Sequence, residues 1–403
     1  MLTDRDIVII SSIDRHELWQ SHHEIATRFA RKGNRVLFLE NLGIRAPRLR
    51  DAKRLGTRIV NRVRSLRTGF RHIEPNLSVC STLILPPWGS WLRRALNHRF
   101  FLPIAARTIK RMVRSHPLVL TFLPTDTASA LAESIAGESG VIIYYAIADF
   151  EELAPDRELL RSSETYLAER ADAVFANGES VAKRLRQWRS DVHVFPVGVN
   201  VETFFAEPKA PLGPRDERAF SAIRGPIIGY VGGLHRHVDF ELVSRTARLR
   251  PEWTWVLVGP SIESTSSLEK IDNVVLLGRR EHGELPSIIR RFDVGVVPYL
   301  TGASTRTVVP TKLNEYLACG KPVVSTRLPR SEEISHQLED VIVSDDGPDS
   351  FVAAIESALR LGAGEAAIER RRRFASNHDW GPLLERMSHV IESNLARRES
   401  QHP

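Results

Sequence analysis

Within RTVVPTKLNEYLACGKPVVST, residues 306–326, the types and spacing of a few side chains suit anion chemistry. Pro310 has a preset φ and no N–H to leave unpaired, which suits the first position of a helix. Thr311 and Lys312 then stand beside unpaired backbone N–H groups and the positive end of the helix dipole, where phosphate is a common occupant. Glu315 follows Lys312 by three residues on the same helix face, so one ligand could meet a cation and then a carboxylate. Gly320 ends this helix after about three turns. Pro322 blocks its continuation, and Val323-Val324 begin a buried strand. The plainer alternative is a capped α/β helix carrying a surface Lys–Glu pair. Local chemistry leaves both open.

The elements that must position these groups follow from length and pattern. A chain of 403 residues exceeds one ordinary core, so two domains of roughly 200 residues are expected. DIVIISS at 6–12 reads as a buried strand, followed by a helix from Ser21 to about Lys32 and a strand at Arg35–Glu40, the opening of a doubly wound domain. The loop after that first strand lies at the carboxyl edge of the sheet and carries His16, with Arg15, Trp19 and Gln20 around it and His22 and His23 at the helix start. His16 is a candidate acceptor-side group or base; a solvated loop histidine is the alternative. Further strands are expected near Leu118–Phe122 and Val141–Tyr145. Asp149, just past the latter, either contacts substrate or caps the next turn. A Pro-rich, charged connector at 207–226 marks a domain boundary. Beyond it, a strand Ile227–Val231 runs into Gly232-Gly233, whose missing side chains allow a ligand close to the backbone. Strands at Trp255–Gly259, Val274–Leu277 and Val294–Val297 complete a second doubly wound unit.

Charge narrows the partners. Residues 41–120 hold 17 Lys/Arg against Asp51 and Glu74, a local +15 that leaves −8 for the remainder of the net +7 chain. Leu55, Ile59, Val63 and Leu66 recur at helical spacing among Arg58, Arg62, Arg64 and Arg67, a basic amphipathic pattern suited to an anionic membrane surface. Trp88, Trp91, Phe100 and Phe101 beside Arg93, Arg94 and Arg99 extend it. A solvated basic face is the plainer reading. No nucleic-acid module signature is present, so nucleic acid is not expected as a partner. Cys80 and Cys319 make neither a disulfide framework nor a metal cluster, which points to a reducing, cytoplasmic setting. The N-terminus reads as a first strand rather than a signal peptide, and no run approaches the roughly 20 apolar residues of a membrane span.

In order along the chain, ADAVFANGESVAKRL…VHVFPVGVNVETF, IGYVGGL, WVLVGP, VVLLGRREHGELPSIIRRFDVGVVPY, PTKLNEYLACGKPVVST and FASNHDW resemble the GT-B glycosyltransferases of the group 1, family 4-like class. SSIDRHELWQSHHEIATRFARKGNRVLFLE and YYAIADF look most like bacterial surface-polysaccharide transferases of the teichuronic-acid type. The resemblance implies an α/β GT-B fold, two doubly wound Rossmann-like domains facing a central cleft. Residues 1–205 would form an acceptor-binding domain with a basic, membrane-facing lobe and 206–375 a nucleotide-sugar-binding domain, while 376–403 would form a helix crossing back to the first domain.

It also implies a retaining, metal-independent transfer from a UDP- or GDP-sugar to a saccharide, with no cofactor; the basic lobe would lie on the inner face of the cell membrane, a placement that a lipid-linked acceptor fits. Glu315 matches the second glutamate of the family's E-x7-E pattern, which binds donor ribose; the first falls at Thr307 and is missing. The cations of the family's first phosphate motif fall at Gly233 and Val238, also missing. Lys312 and the Thr311 N–H would therefore serve the phosphates with Arg236 or Arg306 as helper, beside Gly232 and Gly233. Gly278, Arg279 and Arg280 occupy the usual nucleobase loop. These losses keep two alternatives open: a non-catalytic GT-B scaffold in a polysaccharide-synthesis complex, and a sugar-nucleotide epimerase or hydrolase.

Overall fold

The computed structural model describes residues 1–40, 70–85, 91–114, 116–152, 154–206, 212–302 and 305–401. The amphipathic pattern at 55–67 and Trp88 lie outside them. Two compact units form: Met1–Pro196 together with Gly381–Pro403, and Val197–Trp380. The first boundary thus falls at 196/197 rather than 205/206. The C-terminal helix, Trp380–Gln401, belongs to the first unit from Gly381 onward.

In the first unit eight strands form one sheet: β1 (Asp6–Ile10), β2 (Arg35–Leu39), β3 (Arg71–Glu74), β4 (Leu77–Cys80), β5 (Leu118–Thr121), β6 (Val141–Ala146), β7 (Ala173–Ala176) and β8 (Val192–Val194). Their order is β3-β4-β2-β1-β5-β6-β7-β8, parallel except for the β3–β4 pair. β1 and β5 are buried along their whole length, as strands covered on both faces must be. Asp6 pairs with Arg35 across the β1–β2 register. Because the chain leaves β1 for β2 on one side and returns to β5 on the other, the order reverses between β1 and β5. Such a switch point opens a crevice at the carboxyl ends of the strands.

The second unit has six parallel strands: β9 (Ile227–Val231), β10 (Thr254–Val258), β11 (Val274–Gly278), β12 (Val294–Val297), β13 (Val323–Ser325) and β14 (Val341–Val343), in the order β11-β10-β9-β12-β13-β14. The reversal here lies between β9 and β12. Those two strands pair only at Ile228–Val294 and Gly229–Gly295. A Cβ on Gly229 would meet the Phe292 ring at 2.0 Å, and one on Gly295 the Tyr316 ring at 2.5 Å, so both must be glycine for the core to close. Beyond the glycines the strands part. The Tyr316 hydroxyl fills the gap, accepting from Val231 N–H at 2.9 Å and donating to Val296 O at 3.3 Å.

The expected connector contains a helix, Pro214–Ser221, tied to the second unit by ion pairs of Asp216 with Arg280 and Glu217 with Arg291. A fully buried pair fastens the far side: Arg371 Nε donates to Asp340 at 2.7 Å, and its Nη1 donates to Gly320 O at 2.9 Å. Gly320 takes φ +75°, and a Cβ there would meet Ile368 at 2.8 Å, so glycine is required on both counts.

Candidate functional site

The helix that carries Lys312 is shorter than its sequence suggests. It runs Lys312–Ala318, seven residues, with Thr311 as its cap residue making no side-chain cap bond and Pro310 two places before the first helical residue. It follows β12 and begins at the β9–β12 switch point.

Three elements meet there. The end of β9 gives Tyr230 and the Gly232-Gly233 turn; the residues after β12 give Tyr299; the helix gives Lys312. The Lys312 side chain is buried, 7% exposed, with its ammonium donating to the Tyr299 hydroxyl. Nζ lies 4.7 Å from the Tyr299 ring centre and 4.9 Å from that of Tyr230. Among the described residues no carboxylate oxygen lies within 4.0 Å of it. The Tyr230 hydroxyl is itself committed to Gly233 O at 3.0 Å, and burial pushes it well above the usual phenol range.

Gly232 makes room. It takes φ +139°, and a Cβ there would meet Lys312 Cε at 3.0 Å and Nζ at 3.1 Å. The neighbouring turn is equally tight, since a Cβ on Gly259 would sit 1.9 Å from Gly232 O. A bridge between Val238 and Tyr299 joins the loop after β9 to the loop after β12. Within that loop His235 Nδ1 accepts the His237 N–H at 3.2 Å, which leaves Nε2 to carry the proton of the neutral ring. The His235 ring centre is 5.6 Å from that of Tyr299. Asp239 caps the following helix, accepting from Leu242 N–H at 2.9 Å, so that helix start already holds a carboxylate.

Other expected members of the site scatter. Glu315 does not pair with Lys312; its Oε1 lies 3.5 Å from His282 Nε2. Arg280 is paired with Asp216 through Nε at 2.7 Å and a second contact through Nη2, which raises its pKa. Gly278, at φ +74°, ends β11 and accepts the Gly259 N–H at 2.9 Å. Arg236 and Arg306 are exposed.

On the first unit, Asp149 accepts the Glu151 N–H at 3.1 Å and lies 3.9 Å from Arg184 Nε. The structure therefore supplies the cap, the second of its two readings. His16 is exposed on its loop. His22 and His23 are buried instead: His22 Nε2 meets Ser12 Oγ at 3.0 Å, and burial, with His23 alongside, holds its pKa well below 6.5. The single Asp-x-Asp of the chain, Asp4–Asp6, opens β1 at the amino edge of its sheet, and no group of three or more His, Cys, Asp or Glu is placed to hold a metal ion among the described residues.

Sequence reasoning missed Tyr230 and Tyr299. The available signal was positional: each stands at the carboxyl end of one of the two strands that flank the reversal.

Two parallel α/β sheets, each with its own reversal, define the GT-B class, and solved structures of that fold match almost end to end. Sucrose-phosphate synthase from Thermosynechococcus elongatus aligns at TM-score 0.69 over 98% of this chain and 100% of that one, at 16% identity. Anabaena HepE, in complex with UDP and glucose, aligns at 0.66 over 96% and 100%, at 15% identity. Residues 225–360, all within the second unit, match the family described as Glycosyl transferases group 1. TuaH of Bacillus subtilis (strain 168), named as a candidate teichuronic acid biosynthesis glycosyltransferase, is 31% identical over 267 residues, 64% of this chain and 64% of that protein. The D-inositol 3-phosphate glycosyltransferase of Nocardiopsis dassonvillei is 24% identical over 280 residues, 63% and 62%. The chain thus matches a little under two thirds of the length of these relatives.

Proposed function

We propose that this chain transfers a sugar from a UDP- or GDP-sugar to a growing, lipid-linked cell-surface saccharide, with retention and without a metal ion. The observation that carries the reading is Lys312, a buried ammonium held by phenols beside a glycine turn at a sheet reversal. As the bond from the anomeric carbon to the phosphate oxygen breaks, the electron pair goes to the diphosphate, and a fixed cation in a dry site stabilises that growing charge. The departing phosphate takes the proton of the acceptor hydroxyl, so no separate base is required. Glu315 holds the ribose, Gly232, Gly233 and the Thr311 N–H approach the phosphates, Arg236 or Arg306 assists, and Gly278 lies in the nucleobase loop. His16 and Asp149 stand on the acceptor side. The nucleotide-sugar part draws support from the group 1 domain and from the UDP complex of HepE; the saccharide part draws on the likeness to TuaH.

Attachment to the inner face of the cell membrane is part of the same reading. No acidic residue lies between Glu74 and Asp126. In that stretch Trp91 is 79% exposed, with Leu92, Phe100 and Ile104 also exposed among arginines. Aromatic and basic side chains together suit an anionic lipid surface. No helix among the described residues is long and apolar enough to cross a membrane.

The test is incubation with labelled UDP- and GDP-sugars and a membrane lipid extract, with and without EDTA. Label passing into lipid in the presence of EDTA is the expected result. Turnover without acceptor would make the chain a hydrolase or epimerase, and failure to bind either nucleotide would make it a scaffold. Flotation with anionic liposomes, weakened by salt, is expected for the membrane part.

A further inference from the structure

We infer that Tyr299 and Tyr230 are positioning residues for a donor diphosphate, holding the Lys312 ammonium in place without neutralising it. This rests on the proposal that the second unit binds a nucleotide sugar.

A buried ammonium is costly unless something compensates its charge, and the usual compensation is a carboxylate. Lys312 is 7% exposed, yet its neighbours are two phenols and a glycine backbone. The ring faces of Tyr299 and Tyr230, 4.7 and 4.9 Å from Nζ, attract the cation through their quadrupoles. The Tyr299 oxygen accepts one of its three N–H donors. Neither partner carries a negative charge. A carboxylate in their place would repel an incoming phosphate and would have to be displaced; the phenols leave the full positive charge and two N–H donors for the ligand.

The arrangement is built from both sides of the switch point. Tyr230 comes from β9 and Tyr299 from just past β12, so the cation is fixed where those strands part. The Tyr230 hydroxyl bonds the Gly233 carbonyl at 3.0 Å, so the same ring that faces the ammonium also pins the glycine turn. Gly232 closes the third side, its Cβ position falling 3.1 Å from Nζ.

The experiment compares binding of UDP and GDP with binding of uridine and guanosine, by calorimetry, in Tyr299→Leu, Tyr299→Phe, Lys312→Ala and the Tyr299→Leu/Lys312→Ala double variant. For whichever diphosphate the wild type binds, Tyr299→Leu and Lys312→Ala should each weaken affinity about tenfold, and the double variant no further. Nucleoside affinity should stay the same in all four. Tyr299→Phe keeps the ring and loses the acceptor oxygen, so it should fall between wild type and Tyr299→Leu. It also keeps the test open should Tyr299→Leu fail to fold by circular dichroism. A diphosphate affinity unchanged by Tyr299→Leu, additive losses, or a parallel loss of nucleoside binding would each overturn the inference. A wild type that binds neither diphosphate overturns the donor reading itself, a separate and recognisable outcome.

Discussion

Glu315 gives its carboxylate to His282, at 3.5 Å, while Lys312, one turn earlier on the same short helix, gives its ammonium to Tyr299. The two side chains expected to meet one ligand in succession are held by different loops, one after β11 and one after β12. Their losses should therefore be separable. Glu315→Ala should weaken nucleoside and nucleoside diphosphate by a similar factor, about tenfold or more for a charged hydrogen bond to ribose. Lys312→Ala should weaken only the diphosphate. Equal effects of Lys312→Ala on uridine and UDP, or guanosine and GDP, would disprove the division.

The fold was legible because buried parallel strands announce themselves as short Val/Ile runs ending in Gly or Pro, as in IIGYVGG and VGVVPY. Two features of the site were not. Helix length failed because Pro310 and Thr311 satisfy the rules for a helical first turn, yet the helix begins only at Lys312, two residues past Pro310. The tyrosine pair failed because its members lie 69 positions apart and become neighbours only through the β9–β12 reversal, which is a property of strand order and not of local pattern. The Arg280 ion pair was hidden for a similar reason: its partner, Asp216, sits on a helix within a stretch that reads as linker.

Asp149 is bound to the backbone of the turn it precedes, and this predicts a limited catalytic effect. Asp149→Asn keeps the oxygen that accepts from Glu151 N–H and removes the charge. Loss of a general base costs about 10²–10⁴ in rate. The substitution should instead lower kcat by less than about tenfold, with an unchanged pH profile. A hundredfold loss in kcat would return the carboxylate to the chemistry.

The Arg371–Asp340 pair should be a major stability element of the second unit. Both side chains are fully buried, and Asp340 also accepts from Arg370 Nε at 2.7 Å. Removing Arg371 leaves Asp340 with Arg370 as its charged partner, so the loss should stay below the ~3–5 kcal/mol of a fully stranded buried charge. Arg371→Met should lower the urea midpoint accordingly. Arg371→Met with Asp340→Asn should recover part of the loss, because a fully buried carboxylate reduced to the half-exposed Arg370 as partner is gone. A double variant no more stable than the single one would assign the loss to packing and to the Gly320 carbonyl.

His22 should make the first unit sensitive to mild acid. Burial first, and the neighbouring His23 second, hold its pKa well below 6.5 in the folded state. The unfolded chain takes up the proton near pH 6.5 and the folded chain does not. The stabilising contribution is therefore complete above pH 6.5 and is lost as pH falls below it, at about 1.4 kcal/mol per pH unit. His22→Gln removes the titrating group and keeps a polar side chain facing Ser12. Urea unfolding at pH 7.5 and pH 5.5 should show a drop of about 1.4 kcal/mol in the wild type beyond any drop in His22→Gln. Equal drops in the two proteins would mean that the folded protein protonates His22 as readily as the unfolded chain, against the closed pocket formed by Phe122, at 4.0 Å between ring centres, and Ser12.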